Sequence, residues 1–333
     1  MDLAPVAGDG VIRGIAVACA LAGGVLRFAQ NDGRFAKHGG GFAQNGGQAS
    51  SPYVLIITGI GGEPKYSQEF TAQARTIIQA LQKFRVPADR ITWLAEKEEP
   101  PANGRATRDR VEQELVRIAA AAGPGDPLLM VFIGHGSDQS EPRLNLPGPD
   151  LTARDLAGLV KGLGERPVAL VVAASASGGF VDRLAGPNRL VITATKSGME
   201  RNESRFGHWL AQAFAGGAAD TDKDGAMSLL EAFSFAAAEV RREYESTNRL
   251  LTEHARLSDS ALARRFVFSS AGALAQSSDP AVRALQERKR DLEKRIDQLR
   301  GRKAQMDSTA YQRDLEALLL ELARVNQDLR RKP

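Results

Sequence analysis

Five short apolar runs separated by segments of helical periodicity restrict this chain more than any other feature. They are Tyr53-Val-Leu-Ile-Ile57, Ile91-Thr-Trp-Leu94, Leu128-Leu-Met-Val-Phe-Ile133, Val168-Ala-Leu-Val-Val172 and Leu190-Val-Ile-Thr193. Runs this short and this apolar read as strands buried on both faces, as in a parallel sheet covered by helices. The segments between them supply those helices. Residues 66–84 repeat Phe70, Ala74, Ile77, Ile78 and Leu81 on one face, and further helices are expected over 107–121, 152–162, 204–215 and 228–246. Thr152 and Asp155 have the spacing of a capping box. The expected class is α/β, with a mostly parallel sheet between two helical layers.

Residues 51–275 form this domain, and the flanks differ in texture. Within 1–50, the apolar stretch Gly14–Leu26 has the length of a secretory signal core, although Asp2 and Asp9 weaken the basic leader such a signal carries. Three near copies of one heptapeptide follow, RFAQNDG, RFAKHGG and GFAQNGG, a glycine-rich composition that cannot bury enough surface to fold. A signal implies a periplasmic or secreted protein; a mis-assigned start leaves it cytoplasmic. Residues 278–333 repeat Leu285, Leu292, Leu299 and Met306, then Leu315, Leu322 and Leu329, every seven residues. Each arm is short, so a helical hairpin or coiled coil is expected, packed on its own domain or meeting a partner or second copy.

The net charge of +4 lies in that tail, which holds 14 Lys+Arg against 10 Asp+Glu. Such a mixture reads as a solvated helix surface, with no nucleic-acid partner. No apolar run is long enough to span a membrane. The one cysteine, Cys19, lies in the N-terminal segment, which excludes a disulfide framework and leaves 51–275 without a thiol.

In open parallel sheets, chemistry gathers beyond the carboxyl ends of the strands. Two of those ends carry reactive types: Gly134-His135-Gly136 and Ala173-Ala-Ser-Ala-Ser-Gly-Gly-Phe180. If the two strands are neighbours, the His135 imidazole and the Ser175 hydroxyl face one cleft, and Gly136 brings its N–H close to a developing oxyanion. A single histidine at a strand end is also an ordinary hydrogen-bonded loop residue.

These motifs in order, GHG, LNLPGPDLTARDL, ASASGGF and VITATKSGMERNESRFG, resemble the legumain-like and caspase-like cysteine peptidases over residues 52–245. The resemblance implies a caspase-like fold. It also implies His135 as the assisting histidine, Gly136 as an oxyanion donor and Ser175 at the nucleophile position, followed by the Ser177-Gly178-Gly179 frame. The departure is chemical. The family's nucleophile is cysteine, and its aromatic neighbour is replaced here by Ala176. A thiol supplies some thiolate at neutral pH, whereas a serine needs a closely bonded and oriented base. No orienting carboxylate for His135 is identified; Asp138 is near only in sequence. Loss of peptidase activity is therefore favoured over a serine enzyme, with the cleft of Thr193–Phe206 kept for a peptide or protein partner.

Residues 220–231 read DTDKDGAMSLLE, the full pattern of an EF-hand loop. Calcium is the expected cofactor. Asp220, Asp222 and Asp224 supply side-chain oxygens, Ala226 a carbonyl, Ser228 a direct or water-mediated ligand, and Glu231 a bidentate carboxylate. Gly225 permits the sharp turn. The same residues also fit an acidic turn in which Asp224 or Ser228 caps the next helix. No second loop is present to pair with it, which points to a structural or moderate-affinity site rather than a switch.

Overall fold

The computed structural model describes residues 51–269, apart from 124 and 224, and 279–331, apart from 302, 304 and 305. The expected signal and repeats of 1–50, the Asp224 ligand and the junction near 275 lie outside the described residues.

The first half of the domain runs β1 (Tyr53–Thr58), α1 (Pro64–Lys83), β2 (Ile91–Ala95), β3 (Gly104–Arg105), α2 (Arg108–Ala121) and β4 (Leu128–Gly134). An excursion follows, β5 (Gly136–Asp138), β6 (Pro142–Leu144) and β7 (Leu151–Thr152), before α3 (Ala153–Lys161), β8 (Val168–Ala174) and α4 (Gly179–Leu184). Then come β9 (Arg189–Thr193), α5 (Phe206–Ala215), β10 (Ala226–Ser228), α6 (Leu229–Ser246), β11 (Arg256–Leu257), α7 (Ser260–Arg265) and β12 (Val267–Ser269). Two long helices, α8 (Pro280–Gly301) and α9 (Ser308–Arg331), close the chain.

The main sheet has the order β11-β9-β8-β4-β1-β2-β3, parallel except for the antiparallel edge strand β11. Successive side chains of a strand point to opposite faces, and here both faces are apolar. Val54, Ile56, Leu129, Val131 and Ile133 pack with α1, α5 and α6, through residues such as Ile77, Leu210 and Ala236. Leu55, Ile57, Leu128, Met130 and Phe132 pack on the other side with α2, α3 and α4, through Leu115, Leu156 and Phe180. This double coverage explains strand runs without polar alternation, and gives the three-layer α/β architecture.

Local rules operate where the sequence carries them. Thr152 caps α3: its hydroxyl oxygen accepts the Asp155 N–H, and Asp155 accepts the Thr152 N–H in return. Ser228 and Glu231 form the same box at α6. The antiparallel sheet β5-β6-β7 was not expected; its strands are too short to announce themselves by pattern. Helices α8 and α9 form a hairpin around Val282, Leu292, Val325 and Leu329, with Leu285, Leu318 and Leu322 beside them. Arg288 Nε donates to Glu321 across it at 3.0 Å.

One charge is buried beneath the sheet edge. Glu114 is 1% exposed and accepts from Thr92 Oγ1 at 2.7 Å and from Arg117 Nε at 2.8 Å. Burial pushes this carboxyl up, but the bonds from Arg117 and Thr92 outweigh it and hold the group below its usual value. A depressed carboxyl stabilises the fold above the unfolded carboxylate range, and that contribution disappears as pH falls through the folded value. Glu114→Gln should therefore destabilise the protein by about 1–3 kcal/mol near neutrality. Denaturant midpoints of the two proteins should converge as the pH is taken below the ordinary glutamate range.

Candidate functional site

The site is built on the pairing of β4 with β8, whose register ends Ile133↔Ala173 and Gly134↔Ala174. His135 and Ser175 are the next residue on each strand, so two segments distant in sequence emerge side by side. Ser175 is 6% exposed. Its Oγ donates to the Gly136 carbonyl at 3.3 Å and accepts the Gly136 N–H at 3.4 Å. Only glycine fits there, because a Cβ on Gly136 would lie 2.6 Å from the Ser175 carbonyl oxygen.

The imidazole faces elsewhere. Among the described residues no hydrogen bond joins His135 to Ser175. The ring stands edge-on to Tyr66 (centroids 5.0 Å apart) and to Phe70 (5.1 Å). It lines an open cleft of about 360 Å³ with Ile60, Gly61, Ser137, Leu146 and Asp150. The cleft's glycine wall is tied down by Glu96, which accepts from Ser67 Oγ at 2.6 Å and from the Gly61 N–H at 3.4 Å. Asp138 does not orient the ring; its carboxylate lies against Gly179 and Gly198. The Tyr66 hydroxyl donates to Glu203 at 3.2 Å, and that carboxylate holds the phenol above its usual pKa.

The turn after β8 is latched by the segment from Thr193 to Phe206. Ala176 has φ of +52°, a left-handed conformation that disfavours any residue with a Cβ, and its N–H donates to the Glu200 carbonyl at 2.7 Å. Thr195 Oγ1 accepts the N–H groups of Ser177 (2.8 Å) and Gly178 (3.1 Å), while Ser177 Oγ accepts the Thr195 N–H at 3.3 Å. Ser177 is 1% exposed and serves this latch. A Cβ on Gly178 would sit 2.2 Å from the backbone of Lys196 and Ser197, so close approach explains that glycine.

Two carboxylates brace the same segment. Glu200 accepts the Lys196 N–H at 2.9 Å and the His254 N–H at 3.1 Å, and its other oxygen meets His254 Nδ1 at 2.5 Å. Burial opposes its ionisation, but these bonds prevail and keep it below the usual carboxylate value. Glu253 accepts from Ser204 Oγ and from the N–H groups of Arg205 and Phe206, at 2.6, 2.8 and 2.9 Å, where α5 begins. Its burial raises the carboxyl against the pull of those donors. Sequence reading did not assign Tyr66, Phe70, Thr195, Glu200, His254 or Glu253 individual roles at the site. Tyr66 and Phe70 carried a usable signal, since residues four apart share a helix face. The others meet across loops, and no spacing records that.

The loop between α5 and α6 gathers three carboxylates: oxygens of Asp220, Asp222 and Glu231 all lie within 4.8 Å of one another. Asp220 Oδ2 accepts the Gly225 N–H at 2.9 Å, and Gly225 turns the chain at φ +74°. Glu231 Oε1 accepts the Thr221 N–H at 3.1 Å, while its Oε2 takes the Ser228 N–H and hydroxyl at 3.0 and 2.7 Å. Ala226 opens β10, which pairs antiparallel with β12 and turns Met227 inward, 2% exposed, opposite Phe268. Hard carboxylate oxygens converging in this way suit a calcium ion. A side chain from α8 also reaches the loop: the Lys289 ammonium forms an ion pair with Asp222. Burial holds Lys289 below the usual lysine pKa, against the pull of Glu293 and Asp220.

No family model matches the chain. Part of it is metacaspase-like in sequence: 64 residues are 39% identical to Metacaspase-3 of Trypanosoma cruzi (strain CL Brener). That match spans 19% of this chain and 18% of the relative's own length. Among solved structures, the Drosophila initiator caspase Dronc has a TM-score of 0.42 and 12% identity, over 65% of this chain and 84% of the other. Caspase-1 from Spodoptera frugiperda has a TM-score of 0.42 and 10% identity, over 63% and 89%. No helix among the described residues is long and apolar enough to cross a membrane.

The latch can be tested through its glycine. Gly178→Ala should lower the unfolding free energy by about 1–3 kcal/mol, because the new methyl meets rigid backbone. Gly158→Ala, on the open face of α3 with nothing within 4 Å of the added Cβ, should be neutral or slightly stabilising. Paired thermal melts read the contrast.

Proposed function

We propose that this chain is a caspase- and legumain-like peptidase-fold protein that has lost cysteine-peptidase chemistry and acts as a calcium-stabilised binding module. The carrying observation is the hydroxyl of Ser175, bonded to both backbone groups of Gly136 instead of to the His135 ring. A serine becomes a nucleophile by handing its proton to a base within hydrogen-bond reach. Here the hydroxyl oxygen lies 3.3 Å from a carbonyl oxygen, which cannot serve as the base. The metacaspase-like segment supports the family reading, and the absence of a thiol from residues 51–333 supports the loss of its chemistry.

The cleft survives that loss. His135, with its aromatic supports, and the braced 193–206 segment offer a preformed surface for an extended peptide or protein partner. The α8–α9 hairpin, with Leu319 and Leu320 exposed on α9, is the second candidate surface, for a partner helix or a second copy. In the loop, calcium would be held by Asp220, Asp222, Asp224, the Ala226 carbonyl, Ser228 and Glu231. Bound there, it neutralises the crowded carboxylates. The chain's own residues do the rest, since the Ser228–Glu231 box fixes the start of α6 beside β10. A calcium-rich periplasmic or extracellular location fits this chemistry and the apolar stretch at Gly14–Leu26.

A second reading rests on a specific observation. The Gly134↔Ala174 register brings Ser175 and His135 onto adjacent strand ends, with the Gly136 N–H directed at the hydroxyl. This reading makes Ser175 the nucleophile of a hydrolase and His135 its base.

A serine-reactive fluorophosphonate probe and a peptide library, applied with calcium to wild type, Ser175→Ala, His135→Ala and Ser175→Cys, separate the two. The expected result is no labelling or cleavage by wild type. Labelling that vanishes in Ser175→Ala would instead establish the serine hydrolase, and cleavage by Ser175→Cys alone would exclude it. For the loop, calorimetric titration should give a calcium isotherm in wild type that is lost in Glu231→Gln. An identical isotherm in that variant would reject the assignment.

A further inference from the structure

The calcium loop is where the C-terminal hairpin meets the α/β domain. Three residues on one face of α8 make the contact. Gln286 Nε2 donates to the Lys223 carbonyl at 2.9 Å. One turn on, the Lys289 ammonium pairs with Asp222. Beyond it, Glu293 lies 3.8 Å from Lys289 and 3.8 Å from Arg264 of α7. Both ends of the central pair are withdrawn from water, Asp222 with 11% and Lys289 with 16% of its side chain exposed. Spacing of three and four residues keeps such a stripe on one helix face.

A cation relieves the mutual repulsion of an acidic loop. Two carboxylates about 4.8 Å apart repel by roughly 3 kcal/mol at the effective dielectric of a partly buried site, and this loop brings three within that distance. Lys289 supplies one positive charge and hydrogen-bond donors. A calcium ion supplies two charges and requires 6–8 oxygen ligands, with Asp222 at the third loop position among them. The Asp222 carboxylate serves one cation or the other, and an ammonium beside a divalent ion would meet repulsion of the same order as the attraction it lost.

The hairpin is also built to part from the domain. Its apolar cluster, around Val282, Leu292, Val325 and Leu329, is separate from the two clusters that sandwich the sheet. The contacts described between α8 and the domain are polar, and water can replace polar partners where it cannot replace apolar ones.

We infer that Lys289 is a tethered counter-ion of the loop, and that a divalent cation displaces it and releases the α8–α9 hairpin from the α/β domain. The inference rests on the calcium reading above and adds a regulation to it. The hairpin holds the loop when calcium is scarce, and the face of α8 bearing Gln286, Lys289 and Glu293 becomes available when calcium is abundant.

Calorimetric titration of calcium chloride into the full chain, with wild type, Lys289→Met, Lys289→Arg and Gln286→Ala, tests it. Lys289→Met should bind calcium about ten-fold more tightly than wild type, a typical size for coupling between two sites. Lys289→Arg, which keeps the competing charge, should stay close to wild type. Gln286→Ala, which weakens docking without changing loop charge, should tighten binding by a smaller factor. Hydrogen exchange on the same samples should show faster exchange along 286–293 when calcium is added to wild type, and no calcium effect there in Lys289→Met. Equal affinities in wild type and Lys289→Met, with exchange in α8 unmoved by calcium, would overturn the competition and leave the calcium site standing. Absence of binding heat in all four proteins would overturn the calcium reading, and this inference with it.

Discussion

Everything at the candidate site depends on the parallel pairing of β4 with β8. Seven residue pairs run from Leu128↔Val168 to Gly134↔Ala174. Both strands are buried along their whole length, with alternate side chains committed to cores on opposite faces. A slip of one residue would exchange those two sets and misfit both cores at once. Each large side chain contributes about 1.5–3 kcal/mol on burial, so the register is held by many contacts together. His135 and Ser175 are carried on the ends of that rigid pair. Their proximity is a by-product of core packing, and it would persist without any catalytic demand.

The turn that carries Ser175 is held more firmly than hydrogen bonding of one serine requires. Ala176 sits in a left-handed conformation, Gly178 lies against the backbone of Lys196 and Ser197, and Thr195 collects two of the turn's N–H groups. Glu200 and Glu253 brace the far side of the same segment through His254 and the start of α5. Such a frame suits a site that must present one atom in a fixed place. The atom presented is a hydroxyl facing the Gly136 backbone. On the function proposed above, geometry has outlasted the sulfur chemistry that the resemblance implies for this position.

The acidic loop between α5 and α6 stands at a second junction. It joins α5 to α6, pairs through β10 with β12, and receives Lys289 from α8. Three parts of the chain therefore share one cluster of negative charge. Electrostatics of this kind act over short distances and respond to any competing cation. The apolar cores of the sheet do not respond in this way.

Much of the fold was legible before the structure. The apolar runs determined the five main strands within a residue or two, because burial on both faces leaves no polar alternation. The Thr152–Asp155 spacing determined one helix start, because capping is a local bond, whereas the Ser228–Glu231 box emerged from residues read first as calcium ligands. The DTDKDG turn was equally local. Tertiary structure decided the rest: the β5-β6-β7 excursion, the embrace of His135 by Tyr66 and Phe70, the Glu200 and Glu253 braces, and the orientation of the Ser175 hydroxyl. It also brought Lys289 to Asp222, a meeting of residues far apart in the chain. A sequence records periodicity and local bonding, which depend on neighbours along the backbone. Which distant charges and rings meet depends on how layers pack, and that is decided only when the cores close.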